Sequence, residues 1–271
     1  MIRFPNAKIN LGLYITNRRP DGYHDLETIF YPVKLTDALE IIPAHEKAAF
    51  HPSGRAIAGS MDNNLVWKAY NLLKSQYPQQ VGELDIYLLK AIPMGAGMGG
   101  GSADGAFMLQ MVNDFYSLGL AKEQLADMAL QLGSDCPFFI YNTPQFATGR
   151  GEQMQPVNID LSGFSIQLIC PQVHISTAQA FKMVTPRPAP FDLRELGNIH
   201  VIDWKDIVGN DFESPIFAAH PQLESIKQQL YTGGAVYAAM SGSGSTIYAL
   251  MPKRLKAAIN TTLEIETFYI E

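Results

Sequence analysis

Between residues 7 and 16, apolar and polar positions alternate. Ile9, Leu11, Leu13 and Ile15 fall on one side; Lys8, Asn10, Gly12 and Tyr14 fall on the other. A period of two marks a half-buried strand, so Lys8 and Asn10 are expected side by side on its polar face. Arg18-Arg19-Pro20-Asp21-Gly22 has turn chemistry, and a second strand-like run starts at Tyr23 and His24 and ends near Val33. Together they predict an N-terminal hairpin. Leu65, Ala69, Leu72 and Leu73 at helical spacing predict a helix from Asn63 or Asn64 to about Gln76, with Asp62 or Asn63 as its N-cap. A strand over Glu83–Ala91 is stopped by Pro93. Helices follow over Ala103–Phe115 and Lys122–Leu132, the second closed by a left-handed Gly133. Strands are expected at Gln145–Thr148, Phe164–Cys170, Ala235–Met240, Thr246–Met251 and Glu264–Ile270. Helices are expected at Thr177–Val184, Pro221–Leu230 and Pro252–Leu263. Both halves mix the two element types, which predicts an α/β or α+β protein with a boundary near Pro156-Val157.

Composition narrows the function classes. A chain of 271 residues has room for two domains, and a hydrophobic share of 47% is too high for a disordered scaffold. A net charge of −6 argues against nucleic-acid partners, which call for a basic face. Two cysteines, Cys136 and Cys170, build neither a disulfide framework nor a cysteine metal site. The opening Met1–Lys8 lacks the layout of a leader, and no run approaches the ~20 apolar residues of a membrane span. The expectation is a soluble cytoplasmic protein with small-molecule partners, no nucleic acid and no membrane. The pattern specifies no oligomeric state.

The densest feature is Gly95-Ala96-Gly97-Met98-Gly99-Gly100-Gly101-Ser102, placed between a strand and a helix. Glycine is costly unless the backbone must approach something closely, and a helix N-terminus with unpaired N–H groups suits phosphate. A Walker A loop is excluded, because no Gly-Lys-Ser/Thr follows. Gly95, Gly97 and Gly100 satisfy the dinucleotide spacing, but the acid-bearing second strand is missing. The protein-kinase loop shares that spacing, yet neither His-Arg-Asp nor Asp-Phe-Gly follows. The plain alternative is a turn that lets a helix pack closely. A second cluster, Ser241-Gly242-Ser243-Gly244-Ser245-Thr246, reads either as a hairpin turn or as the opposite wall of a polyphosphate site.

Three blocks occur in order: Pro5-Asn6-Ala7-Lys8-Ile9-Asn10-Leu11, Pro93 through Ala103, and Met240-Ser241-Gly242-Ser243-Gly244. In these blocks the chain resembles the superfamily of galactokinase, homoserine kinase, mevalonate kinase and phosphomevalonate kinase. Four more stretches (Arg19–His24, Asp62–Leu65, Leu132–Phe139 and Asn210–Glu213) are similar to one branch of it. That branch phosphorylates a cytidine-diphosphate-linked methylerythritol in non-mevalonate isoprenoid synthesis. The departures are Asn6 before Ala7, Met98 for a frequent Leu, and Gly105 for a usual Ala; Pro186–Trp204 matches no known block.

The resemblance implies an α+β two-domain small-molecule kinase fold. Residues 1–157 would form an N-terminal ATP-binding domain with the catalytic residues, residues 158–271 a C-terminal substrate-binding domain, with the ligand cleft between them. ATP and Mg²⁺ are implied, with transfer of the γ-phosphoryl group to a 2-hydroxyl of the acceptor. Asp135 matches the catalytic base, although its position after Gly133-Ser134 also suits a helix N-cap. Lys8 matches the lysine beside that base; read alone, it is a strand lysine facing solvent. Asn10 would fix the acceptor by hydrogen bonding. Tyr23 and His24 match a cytosine reader, Tyr23 by stacking and His24 by hydrogen bonding. Phe181 would close the other side of the ring, or else serve as a core residue of its helix. Pro93, Gly95, Gly97, Gly99, Gly100, Gly101 and Ser102 match the phosphate loop. Asn64 and Lys90 match positions near adenine, though both also read as ordinary surface residues. No carboxylate pair is dedicated to Mg²⁺, which is left to the ATP phosphates, Ser102 and water. Cys136 reads as a small buried residue rather than a nucleophile. The competing readings are a mevalonate- or homoserine-type kinase, an NAD-dependent oxidoreductase and a nucleotide sensor without turnover.

Overall fold

The computed structural model describes residues 1–57 and 59–271. From the start run β1 (Ile2–Arg3), β2 (Asn6–Arg18), β3 (His24–Thr36), β4 (Ala38–Pro43), β5 (Ala49–Gly54), α1 (Leu65–Gln76), β6 (Leu84–Lys90), α2 (Gly100–Phe115), α3 (Lys122–Leu132) and α4 (Cys136–Tyr141). Then come β7 (Gln145–Thr148), β8 (Gln153–Pro156), β9 (Phe164–Pro171), α5 (Thr177–Met183), α6 (Trp204–Ile207), α7 (Glu213–Ala219), α8 (Pro221–Thr232), β10 (Tyr237–Met240), β11 (Ile247–Pro252) and β12 (Ile265–Ile270). They gather into two compact units that interleave along the sequence. The first takes Met1–Ala7, Lys34–Met94 and Gly99–Thr143; the second takes Lys8–Val33, Gly95–Met98 and Pro144–Glu271.

The first unit is a sheet in the order β1-β4-β6-β5, antiparallel except for the β5–β6 pair. Its alternation is clean: Leu39, Ile41, Leu84, Ile86 and Leu88 are buried, whereas Glu40, Ile42, Tyr87 and Leu89 are exposed. Burying one such aliphatic side chain stabilises by about 1.5–3 kcal/mol. Helix α1 buries Val66, Ala69, Tyr70 and Leu73, one face at helical spacing, and packs on α2. Gly105 permits that approach, since a Cβ there would lie 3.0 Å from the Leu65 Cβ.

The second unit holds two sheets, β2-β3-β7-β8 and β10-β11-β9-β12. One core joins them, with Leu13, Ile15 and Leu26 from the first sheet and Ile169, Met240 and Ala249 from the second. Helices α7 and α8 contribute Ile216, Leu223, Ile226 and Leu230. The hairpin turn between β2 and β3 closes with the Arg19 N–H donating to Tyr23 O at 2.8 Å, and Gly22 supplies φ +86°.

Five local expectations change. Strand β2 is buried on both faces, with Lys8, Asn10 and Tyr14 at 4, 2 and 2% exposure. Its free edge is covered by the Asn210 segment: the Leu13 N–H donates to Gly209 O, the Asp211 N–H to Leu13 O, and the Ile15 N–H to the Asp211 carboxylate. The cap of α1 is Asn64, whose side chain accepts from the Val66 N–H at 2.8 Å, while Met61–Asn63 form a 3₁₀ turn. Helix α2 begins at Gly100, three residues earlier than its apolar pattern. Gly133 has φ 170°, extended backbone open to any residue.

The expected helix over Pro252–Leu263 does not form. Pro252 still pairs with Phe164 in the sheet, and the following backbone is held by side-chain amides instead of by its own turns. Gln167 bonds both the N–H and the C=O of Ala257, and Gln229 bonds both of Asn260, at 2.7–3.0 Å. An amide that satisfies donor and acceptor together removes the incentive for a helical i→i−4 ladder.

Candidate active site

In the second unit, β2 and β3 carry a buried polar chain. The Lys8 Nζ donates to Asn10 Oδ1 at 2.7 Å, Asn10 Nδ2 donates to Thr28 Oγ1 at 2.9 Å, and the Thr28 hydroxyl donates to Gly12 O at 2.5 Å. The Lys8 ammonium also lies 5.0 Å from the centre of the Phe30 ring. Lys8 and Asn10 are therefore neighbours as expected, but enclosed rather than facing solvent. A lysine is retained in such a place only with partners for its charge.

His24 and Phe181 stack with ring centres 5.0 Å apart and planes 20° apart, and Phe212 meets Phe181 edge-on at 4.9 Å. Burial, helped by the nearby Arg18, pushes the His24 imidazole below its usual range despite Asp25. The neutral ring offers one donor and one acceptor. Tyr23 is exposed, and the Arg150 guanidinium covers its ring at 5.0 Å. Phe181 is half-buried: it packs against the core and contacts His24.

Along the glycine-rich loop Gly95, Gly97 and Gly99 take positive φ (+66, +77 and +69°) and alternate with residues that do not. Such an alternation is the backbone pattern on which anion-binding nests are built. At Gly97 the space itself demands glycine: a Cβ would lie 2.1 Å from Ser241 O. The Ser241 hydroxyl donates to Gly97 O at 2.9 Å, and Asn210 Nδ2 ties Met240 O and Gly242 O at 2.8 Å each. The Ser241–Thr246 segment is thus both the β10–β11 hairpin turn and a wall against the glycine loop within this unit.

In the first unit Lys90 is not the surface residue its sequence position suggests. Lys90, Asp37 and Asp104 are 2, 1 and 3% exposed, with the Lys90 ammonium paired to Asp37 and to Asp104, the latter at 2.8 Å. Asp37 also accepts the N–H groups of Ala91 and Ile92 at 2.6 and 2.8 Å. Burial pushes the Asp104 carboxyl up to about 8, against the pull of Lys90. A Cβ at Gly100 would lie 2.9 Å from the Lys90 Nζ, so this triad lies directly under the start of α2. Pro93 is half-buried and Gly101 has open space where a Cβ would point. The Ser102 hydroxyl contacts the Cys136 thiol, which burial raises to about 12, an inert buried cysteine. Asp135 occupies the N-cap position of α4 but makes no side-chain cap bond there, so the cap reading fails. Among the described residues no three His, Cys, Asp or Glu side chains converge as a metal site. No helix among them is long and apolar enough to cross a membrane.

Residues 64–143 match the GHMP kinases N terminal domain and residues 191–264 the GHMP kinases C terminal domain. A protein of Parabacteroides distasonis named 4-diphosphocytidyl-2-C-methyl-D-erythritol kinase is 51% identical over 93% of this chain and 92% of its own. This chain belongs to the 4-diphosphocytidyl-2-C-methyl-D-erythritol kinase family. A Bacteroides fragilis member of this kinase family is 50% identical over 92% of each chain. A crystal structure of 4-(cytidine 5'-diphospho)-2C-methyl-D-erythritol kinase superposes with TM-score 0.78 at 31% identity, covering 92% of this chain and 90% of that one. Mevalonate kinase of Methanococcus jannaschii (TM-score 0.71, 13% identity, 99 and 97% coverage) shares the fold. The α+β two-domain kinase architecture is therefore that of the GHMP kinases.

The residues expected for acceptor binding (Asn10, Tyr23, His24 and Phe181) all lie in the second unit together with Lys8, Gly95 and Gly97. Asn64, Lys90, Pro93, Gly99, Gly100, Gly101, Ser102 and Asp135 lie in the first. Sequence reading missed the residues that hold these in place. Asp37 and Asp104 look like a strand-end acid and an exposed first-turn acid, and Thr28 like any strand threonine. Their partners are distant in sequence, so no spacing signals them.

Proposed function

We propose that the chain transfers the γ-phosphoryl group of ATP to the 2-hydroxyl of 4-diphosphocytidyl-2-C-methyl-D-erythritol. The observation that carries this reading is identity of about half over more than nine-tenths of proteins named for that reaction. In this reading residues 1–157 supply the ATP loop and catalytic groups, and residues 158–271 add Phe181 to the acceptor site. Asp135 takes the proton of the acceptor hydroxyl, and Lys8 holds negative charge as the oxygen becomes a nucleophile. Asn10 orients the acceptor through the amide valences its buried bonds leave over. His24 reads the cytosine edge by hydrogen bonding, and Tyr23 and Phe181 supply apolar ring area around it. The nest from Gly95 to Gly99 and the first N–H groups of α2 hold the phosphates, with Asn64 near the adenine end; Lys90, bonded to Asp37 and Asp104 under Gly100, supports the start of α2 instead of touching ATP. Mg²⁺ bound through the ATP phosphates would neutralise their charge, and Ser102 would be the side chain to meet it. Phosphoryl transfer needs alignment and charge stabilisation more than covalent chemistry, which suits a site built from backbone amides and few side chains.

The test is ADP release with the diphosphocytidyl substrate against mevalonate and homoserine. Turnover of mevalonate equal to that of the cytidine substrate overturns the assignment. Asp135→Asn is expected to abolish turnover while acceptor affinity stays within about tenfold, roughly 1.4 kcal/mol. A large loss of affinity with retained turnover would give Asp135 a structural role instead.

A further inference from the structure

The hydrogen-bond chain on β2 and β3 has a direction on which its two ends agree: the Lys8 ammonium only donates and the Gly12 carbonyl only accepts. A carbonyl only accepts, so the Thr28 hydroxyl must spend its single proton on Gly12 O, 2.5 Å away. The oxygen of Thr28 can then only accept from the Asn10 side chain, which forces Nδ2 toward Thr28 at 2.9 Å. With Nδ2 so placed, Oδ1 faces the Lys8 ammonium at 2.7 Å. In the flipped amide two N–H donors would meet the ammonium, and Thr28 would face an oxygen with no proton left to offer.

The main chain around this amide is already pinned. The buried Tyr248 hydroxyl donates to Asn10 O at 2.8 Å, and the Lys8 N–H donates to Met98 O in the glycine loop at 2.9 Å. Lys8, Asn10, Thr28 and Tyr248 are 4, 2, 0 and 0% exposed, which leaves no bulk water to replace a lost partner. What the backbone bonds leave undetermined is which end of the Asn10 amide points at Lys8.

We propose that Thr28 is a positioning residue for phosphoryl transfer: through its bond to Gly12 it fixes the Asn10 amide with oxygen toward Lys8, and so holds the Lys8 ammonium in place. This rests on the reading of Lys8 as a group that acts on the transferring phosphoryl or the acceptor oxygen. Thr28 touches neither; it acts through Asn10. A buried threonine with a purely structural role would affect folding, not the chemical step.

The experiment compares Thr28→Val, which keeps the shape and removes the hydroxyl, with Thr28→Ser, which keeps the hydroxyl. Lys8→Met is run alongside. The expected result for Thr28→Val is a kcat lower by about 10- to 100-fold with KM for both substrates within about threefold, the signature of an interaction that matters in the transition state. Thr28→Ser restores kcat to within about threefold of the parent. A Thr28→Val enzyme with parental kcat, beside an inactive Lys8→Met, overturns the role of Thr28 and leaves the reading of Lys8 intact. Parental turnover in Lys8→Met overturns both. A kcat loss that Thr28→Ser does not restore also overturns the proposal, since packing rather than the hydroxyl would then be responsible. If Thr28→Val does not fold, Thr28→Ala removes the hydroxyl with less bulk and carries the same comparison.

Discussion

Lys90→Met keeps the length and most of the bulk of the side chain but deletes the ammonium between Asp37 and Asp104. Removing one partner of a buried ion pair costs about 3–5 kcal/mol, because the other charge is stranded. Two features place Lys90 at the lower end of that range. Asp37 keeps the Ala91 and Ile92 N–H groups, and burial already biases the Asp104 carboxyl toward its protonated form. Each charge-assisted bond lost is worth about 1.5–3 kcal/mol. We therefore expect a loss of about 3 kcal/mol near neutral pH. The pH dependence has a definite sign. A carboxyl whose folded value is raised favours the folded state in full below its unfolded value of 3.8 and loses that contribution as pH rises toward 8. Deleting the cation raises the folded Asp104 value further, so the deficit of Lys90→Met is smaller at about pH 5.5 and widens as pH rises through about 8 to about pH 8.5. The assay is urea unfolding at both ends of that range, followed by fluorescence in a Trp204→Phe background. There Trp67, on α1 of the same unit, reports alone. A deficit under about 1 kcal/mol at unchanged m-value, or one that widens toward acid, would refute the argument.

Three other outcomes follow from the geometry. Gly97→Ala combines a left-handed φ, costing about 1–2 kcal/mol, with a Cβ 2.1 Å from Ser241 O. It should lower the melting midpoint and abolish turnover, whereas Gly101→Ala, with nothing within 4 Å, should leave the midpoint unchanged. Gln167→Leu strands the N–H and C=O of Ala257 in a buried place and should cost about 2–6 kcal/mol at 1–3 per unsatisfied group. Hydrogen exchange at the Ala257 amide should accelerate in step, and unchanged protection there would count against the latch. For His24, a lowered imidazole value means that the neutral ring persists below the ordinary 6.5. KM for the cytidine substrate should stay flat down to that pH and rise only in more acidic buffer, with His24→Ala raising KM at every pH. A KM that climbs with alkali would contradict a neutral reader.

Most of the elements were legible in the sequence because local rules decide them. The hairpin around Pro20-Gly22, the helices α1 and α3 and the strands β6, β7 and β9 arise where periodicity and turn residues agree. The Pro252–Leu263 helix failed for the opposite reason: its periodicity was outbid by Gln167 and Gln229, which come from distant elements. Most of the chemistry-bearing residues were legible too, through their blocks, but their surroundings were not. Lys90 stands at the end of an alternating strand, and nothing within ten residues signals that it is bonded to Asp37 and Asp104.

By itself, the sequence determined where most strands and most helices lie, though not β1, β4, β5 or β8, that a glycine loop precedes α2, and to which superfamily its blocks belong. These depend on φ preferences, on periods of two and 3.6 residues, and on motifs contiguous in the chain. Only the tertiary structure decided that β2 is closed on both faces, that Gly97 faces Ser241 O, that Asn64 rather than Asp62 or Asn63 caps α1, and that Asp135 makes no cap bond. It also decided which way the Asn10 amide points, through Thr28 and Gly12. Burial and the polarity of a buried hydrogen-bond chain are set by groups that arrive from other segments, and no local pattern encodes their arrival.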